Sequence, residues 1–135
     1  MTGPSRSAGA AASPHSRPFV ILVEELTEST VLLTVEGELD LYTAPRLKSE
    51  LLRAMEEGAR RIAIDLTKVG FMDSTGLGVL LAAQRRHEEV VSFAIVCSGP
   101  EVRWIFEFSG TDRILALFHT LEEALAHLDR DEREG

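Results

Sequence analysis

Hydrophobic and polar positions change period along this chain, and the changes mark out its elements. Residues 19–26, FVILVEEL, and residues 29–39, STVLLTVEGEL, are β-branched runs on either side of a Thr-Glu-Ser-Thr connection, which predicts a hairpin of antiparallel strands. In the second run Val31, Leu33, Val35, Gly37 and Leu39 share one face, while Thr34, Glu36 and Glu38 share the other. A strand that alternates in this way has a wet face or sits near a sheet edge. Gly37 interrupts it, which predicts a bulge or a close backbone approach.

The period then lengthens to that of a helix. Thr43 is placed to cap a helix with Pro45 in its first turn; Leu47, Leu51, Leu52 and Met55 form its apolar stripe, and Gly58 ends it. RRIAIDL, residues 60–66, is short, continuous and branched, as a strand covered on both faces should be. Residues 70–81, GFMDSTGLGVLL, pass from an aromatic-flanked bend through Asp73, Ser74 and Thr75 into a second helix with Leu77, Leu80, Leu81 and Gln84 on one side. VSFAIVC is a further buried strand, and Pro100 and Glu101 open a third helix that packs Val102, Ile105, Phe106 and Trp104 and ends at Gly110. ILALF reads as a strand. Thr120 and Glu123 form a capping box for a last helix carrying Leu121, Ala124, Leu125 and Leu128. The order ββαβαβαβα predicts an α/β fold, with a mostly parallel sheet of about five strands and an N-terminal antiparallel hairpin.

Composition sets the boundaries. Residues 1–18 are small residues, Ser, Gly and Pro, read as a disordered tail; residues 19–128 form one domain, and the charged residues 129–135 should fray. A lone cysteine, Cys97, excludes an intramolecular disulfide and is expected to be an ordinary buried thiol. No apolar run approaches the length of a membrane span and no signal-peptide core is present, so a cytoplasmic protein is expected. The net charge is −8; residues 1–18 hold only Arg6 and Arg17, leaving 12 basic against 22 acidic residues, or −10, in the remainder. That field repels nucleic acid and anionic membrane, and neither is expected as a partner.

The chemistry-bearing residues lie around Ser74. Asp73, Ser74 and Thr75 are all helix-capping types, and a serine at a helix start would also hold an anion well, because free N–H groups and the helix dipole favour negative charge there. Gly76 and Gly78, each costing about 1 kcal/mol relative to alanine inside a helix, require either the close approach of another molecule or tight packing on the sheet. A hydrolytic Ser74 would need a base, and His15, His87, His119 and His127 are poorly spaced for one; only His119 is conceivable, and no Gly-x-Ser-x-Gly elbow is present. No metal-ligand pair, dinucleotide fingerprint or P-loop occurs, so no cofactor and no catalytic residue are expected. Glu36, Glu38 and Asp40 form an acidic strand end. In an α/β sheet, loops leaving neighbouring strands share a rim, which would bring Asp40, Asp73 and Ser74 to one partner.

Taken together, Gly37-Glu38-Leu39-Asp40, Asp65-Leu66 with FMDSTGLG at residues 71–78, residues 102–108 followed by Ser109-Gly110, and LEEAL at residues 121–125 resemble the anti-sigma factor antagonist family of STAS domains. The resemblance runs in order over about residues 19–128. It implies a STAS-like fold and a non-enzymatic binding protein that works by partner switching. Unphosphorylated, such a protein binds an anti-sigma factor that is also a serine kinase and so frees the sigma factor; phosphorylation on Ser74 switches it off, and a PP2C-type phosphatase resets it. The implied partner surface is Glu38, Asp40, Asp73, Ser74, Thr75, Gly76, Leu77 and Gly78. Thr75 replaces a second serine found in many members and leaves a competing hydroxyl. Other STAS domains are scaffolds or transporter-associated subunits in which the serine is not a switch, and that reading stays open beside the distant one of a serine hydrolase.

Overall fold

A computed structural model of the chain describes residues 18–134; the tail expected at residues 1–17 lies outside the described residues. The elements are β1 (Val20–Glu25), β2 (Thr30–Leu39), α1 (Ala44–Glu56), β3 (Arg61–Met72), α2 (Ser74–His87), β4 (Ser92–Val96), α3 (Pro100–Ser109), a 3-10 turn (Thr111–Arg113), β5 (Leu117–Phe118) and α4 (Leu121–Glu134). One five-stranded sheet runs β1-β2-β3-β4-β5, with β1 antiparallel to β2 and all other neighbours parallel. The hairpin turn closes on Thr27, whose hydroxyl accepts from the amides of Ser29 (3.2 Å) and Thr30 (3.0 Å).

Both faces of the sheet are covered, unequally. Leu33, Val35, Ile62, Ile64 and Ile95 bury one face against α1, α2 and α3 through Leu47, Leu51, Leu80 and Phe106. On the other face, Leu32, Ala63, Ala94 and Val96 meet Ala124 and Leu128 of α4. Ala63 and Ala94 are cross-strand partners, and their small side chains let α4 lie close to the sheet. The outward face of β2 is therefore wet only from Thr34 onward, since α4 shelters Leu32.

Three elements depart from the sequence expectation. The bend placed at residue 70 is strand: β3 runs to Met72, pairing Val69 with Gly37, Phe71 with Glu38 and Met72 with Leu39, with Gly70 as an extra, unpaired residue where the register slips. Beyond Asp65, whose partner Val96 is the last on β4, residues 66–72 pair with β2 alone and carry the ladder past the rest of the sheet. Trp104, expected in the packed stripe of α3, is 55% exposed and stacks at 4.7 Å on Phe108, itself 77% exposed. The two are i,i+4 neighbours on the face opposite Val102 and Phe106. Of ILALF only Leu117 and Phe118 pair in the sheet. Gly37 sits at φ +110°, and a Cβ there would come within 2.8 Å of the Pro18 carbonyl oxygen, so the expected close backbone approach is present.

Candidate functional site

The carboxyl ends of β2 and β3 form one rim. Their ladder closes at Leu39 and Met72, the Asp73 amide then donates to the Leu39 carbonyl at 3.1 Å, and Asp40 and Asp73 leave the sheet side by side. Asp40 is spent on its own loop: Oδ1 accepts from the amides of Tyr42 (2.9 Å) and Thr43 (3.1 Å). Thr43 stands at the start of α1, but its hydroxyl does not cap the helix as expected. It accepts from the Asp40 amide (2.8 Å) and donates to the Glu38 carbonyl (2.7 Å), clamping the strand end to the helix start. Glu38 is half-buried on the face opposite Leu39.

Asp73 is the cap of α2. In an extended conformation, its Oδ1 accepts from the amides of Thr75 (2.8 Å) and Gly76 (3.3 Å), two of the donors that a helix start leaves without partners. Because Asp73 takes the capping role, Ser74 becomes the first helical residue. It is exposed, and no group among the described residues engages its hydroxyl. A phosphate there would stand at the positive end of a 14-residue helix. Thr75 is half-buried.

The two glycines of the motif do different work. A Cβ on Gly76 would fall 2.8 Å from Leu39 Cγ and 3.0 Å from Met72 Cγ, so this glycine lets α2 sit down on the rim. A Cβ on Gly78 would meet nothing within 4 Å, and Gly78 is exposed. Gly76 and Leu77 thus face inward, Leu77 within the core, whereas Glu38, Asp40, Ser74, Thr75 and Gly78 reach the surface. Leu41 and the 84%-exposed Tyr42 border the same rim and were not expected there, and Phe71, from the bend that the sequence marked, is exposed beside them. The available signal was LYT, large apolar residues in a connection with neither a strand nor a helix period.

Other chemistry is not assembled here. His87 ends α2, roughly 20 Å along the helix from Ser74; His119 lies beyond β5, its amide held by Glu123 (3.1 Å); His127 packs on the Phe118 ring at 5.1 Å. Among the described residues no group of three or more His, Cys, Asp or Glu is placed to hold a metal ion, and no helix is long and apolar enough to cross a membrane. Cys97 is buried at the end of β4, and burial pushes its thiol up to about 11, with Glu107 adding to the shift and Arg103 partly opposing it. The Arg103 guanidinium donates to the Cys97 carbonyl at 2.5 Å.

A model of the STAS domain matches residues 22–124. The anti-sigma-F factor antagonist RsfB of Mycobacterium tuberculosis is 33% identical over 94 residues, 70% of this chain and 77% of that protein. The crystal structure of an anti-sigma factor antagonist from Mycobacterium paratuberculosis superposes with a TM-score of 0.78 at 30% identity, covering 87% of this chain and 98% of that one. SpoIIAA, an anti-sigma factor antagonist, superposes in its unphosphorylated form with a TM-score of 0.68 at 28% identity over 82% of this chain and 96% of its own. The phosphorylated form of the Bacillus protein superposes at 0.60 and 27% identity over 80% and 98%.

Proposed function

The chain belongs to the STAS domain family, among its anti-sigma factor antagonists, and from that premise we propose that it is switched by a single phosphate on Ser74. Unmodified, it binds an anti-sigma factor that is also a serine kinase and so releases the sigma factor. Phosphorylation of Ser74 ends the binding, and a PP2C-type phosphatase restores it. The partner meets Glu38 and Asp40 on one side of the rim and the first turns of α2 on the other.

The observation that carries this reading is the division of labour between Asp73 and Ser74. The cap is supplied by the aspartate, so the serine hydroxyl is exposed and can be modified without removing a bond that holds the helix. A phosphate brings about −1.5 to −2 charges. The helix start stabilises such a charge within the domain, while a partner surface matched to a neutral hydroxyl would have to bury an uncompensated dianion, which is strongly unfavourable. That SpoIIAA exists as unphosphorylated and phosphorylated forms supports a phosphate-dependent reading of its relative.

The test is intact mass spectrometry after incubation with candidate anti-sigma kinases and ATP, with the modified residue mapped. One added phosphate on Ser74, absent from Ser74→Ala, is expected. Phosphate on Thr75 alone, or none with a kinase that binds the chain, would overturn the proposal.

A further inference from the structure

The two helices that start at the rim leave a groove between them. α1 and α2 each follow a parallel strand and return across the same face of the sheet, so they lie side by side and point the same way. The groove has a volume of about 360 Å³ and reaches Thr75 and Gly78, beside Ser74. Leu51, Leu52, Met55, Val79 and Ala83 give it an apolar floor, with Leu52 38% exposed. Its charged lining is cationic: Lys48 early in α1 and Arg86 late in α2, both exposed, with His87 next to Arg86. No carboxylate lines it, on a chain whose net charge is −8. From Thr75 to His87 the α2 wall extends roughly 18 Å, about three turns of an occupying helix.

We infer that this groove seats an acidic amphipathic helix of the anti-sigma partner, its apolar stripe on the floor and carboxylates at its two ends meeting Lys48 and Arg86. The identity of the partner rests on the function proposed above; the chemistry of the occupant rests on the groove. Helices dock in apolar grooves through residues at i, i+3, i+4 and i+7, and a cationic lining on an acidic protein selects for negative charge at the ends of such a helix. The chain's own residues before Pro18 are excluded by charge, having Arg6 and Arg17 and no carboxylate. A second copy would have to offer α3, whose Trp104 and Phe108 are exposed, since the apolar side chains of α4 are already packed on its own sheet; concentration-dependent amide shifts in the same groove without peptide would overturn the inference.

The placement ties the groove to the switch. A phosphate on Ser74 stands next to the end where Thr75 and Gly78 open and repels carboxylates arriving there.

The experiment uses the full 135-residue chain, isotope-labelled, and a synthetic helical peptide with leucines at i, i+3, i+4 and i+7 and glutamates at both ends. The same peptide with lysines at its ends is the control. Amide shifts at Lys48, Leu52, Val79, Ala82 and Arg86 are expected with the acidic peptide and not with the basic one. Lys48→Glu with Arg86→Glu should weaken acidic-peptide binding at least about tenfold with an unchanged melting curve. Raising sodium chloride from about 50 to about 500 mM should weaken the wild type and leave the double variant nearly flat. Shifts elsewhere or none, equal binding of both peptides, or occupation by sodium myristate in place of the peptide would overturn the inference. No kinase or ATP enters these measurements, so this result and phosphate transfer to Ser74 can fail separately.

Discussion

The amide of Asp73 donates to the carbonyl of Leu39 across 3.1 Å, so the residue that makes the last link between β2 and β3 also caps α2. Main chain ties the strands and side chain starts the helix, and only the second depends on the residue type. Asp73→Ala should therefore cost about 1 kcal/mol, the usual value of a lost cap, while Asp73→Asn stays within a few tenths. Urea unfolding of the three proteins, read at constant m-value, checks this.

Ser74 carries no structural bond, so its replacement should separate binding from stability. Ser74→Ala is expected to melt with the wild type and to bind the anti-sigma partner as tightly. Ser74→Asp should melt normally and bind at least about tenfold more weakly, about 1.4 kcal/mol. Calorimetric titration of both against the proposed anti-sigma partner is the measurement, and equal affinities would remove the proposed switch.

Gly76 and Gly78 should respond oppositely to the same change. Gly76→Ala forces a methyl into Leu39 and Met72, both fully buried, and is expected to cost about 1–3 kcal/mol by overpacking. Gly78→Ala enters open space on a helix and should stabilise by up to about 1 kcal/mol. Thermal melts of the two variants decide it.

Cys97 yields a pH dependence with a definite sign. Burial raises its thiol from 9.0 to about 11, with Arg103 opposing and Glu107 adding to the shift, so the folded chain holds the proton more firmly than the unfolded one. That contribution is fully present below about pH 9 and is lost as the pH rises through 11. The stability of the wild type minus that of Cys97→Ala should fall across this window and be level below it. Thiol reagents at pH 8 should react slowly with the native protein, because little thiolate exists.

Periodicity made the element order legible because each helix keeps an apolar stripe and the strands of the sheet interior are branched and continuous. It failed where pairing is tertiary. The extension of β3 through TKVGFM has no alternation, since its register slips twice, between Asp65 and Lys68 and again at Gly70, and only the end of β2 gives it a partner. Trp104 reads in the sequence as part of the packed stripe of α3, although its spacing from Phe108 puts both on the outer face. Thr43 shows the limit for caps: composition marks the helix start but cannot say that the hydroxyl serves Asp40 and Glu38 instead. At the rim, the acidic and hydroxyl residues were readable as a group. The sequence could not separate Gly76 from Gly78, because the difference lies in Leu39 and Met72, distant in one case by 37 positions along the chain.

Gly37 presses against Pro18 near the outgoing end of β2, and α4, starting from the rim side of β5, runs away from it. The two ends of the domain therefore sit at opposite poles. A fluorophore coupled just ahead of Pro18 would be a local reporter of whatever lands near the serine, whereas one coupled after Glu134 would stay dark to the event and serve as its internal reference.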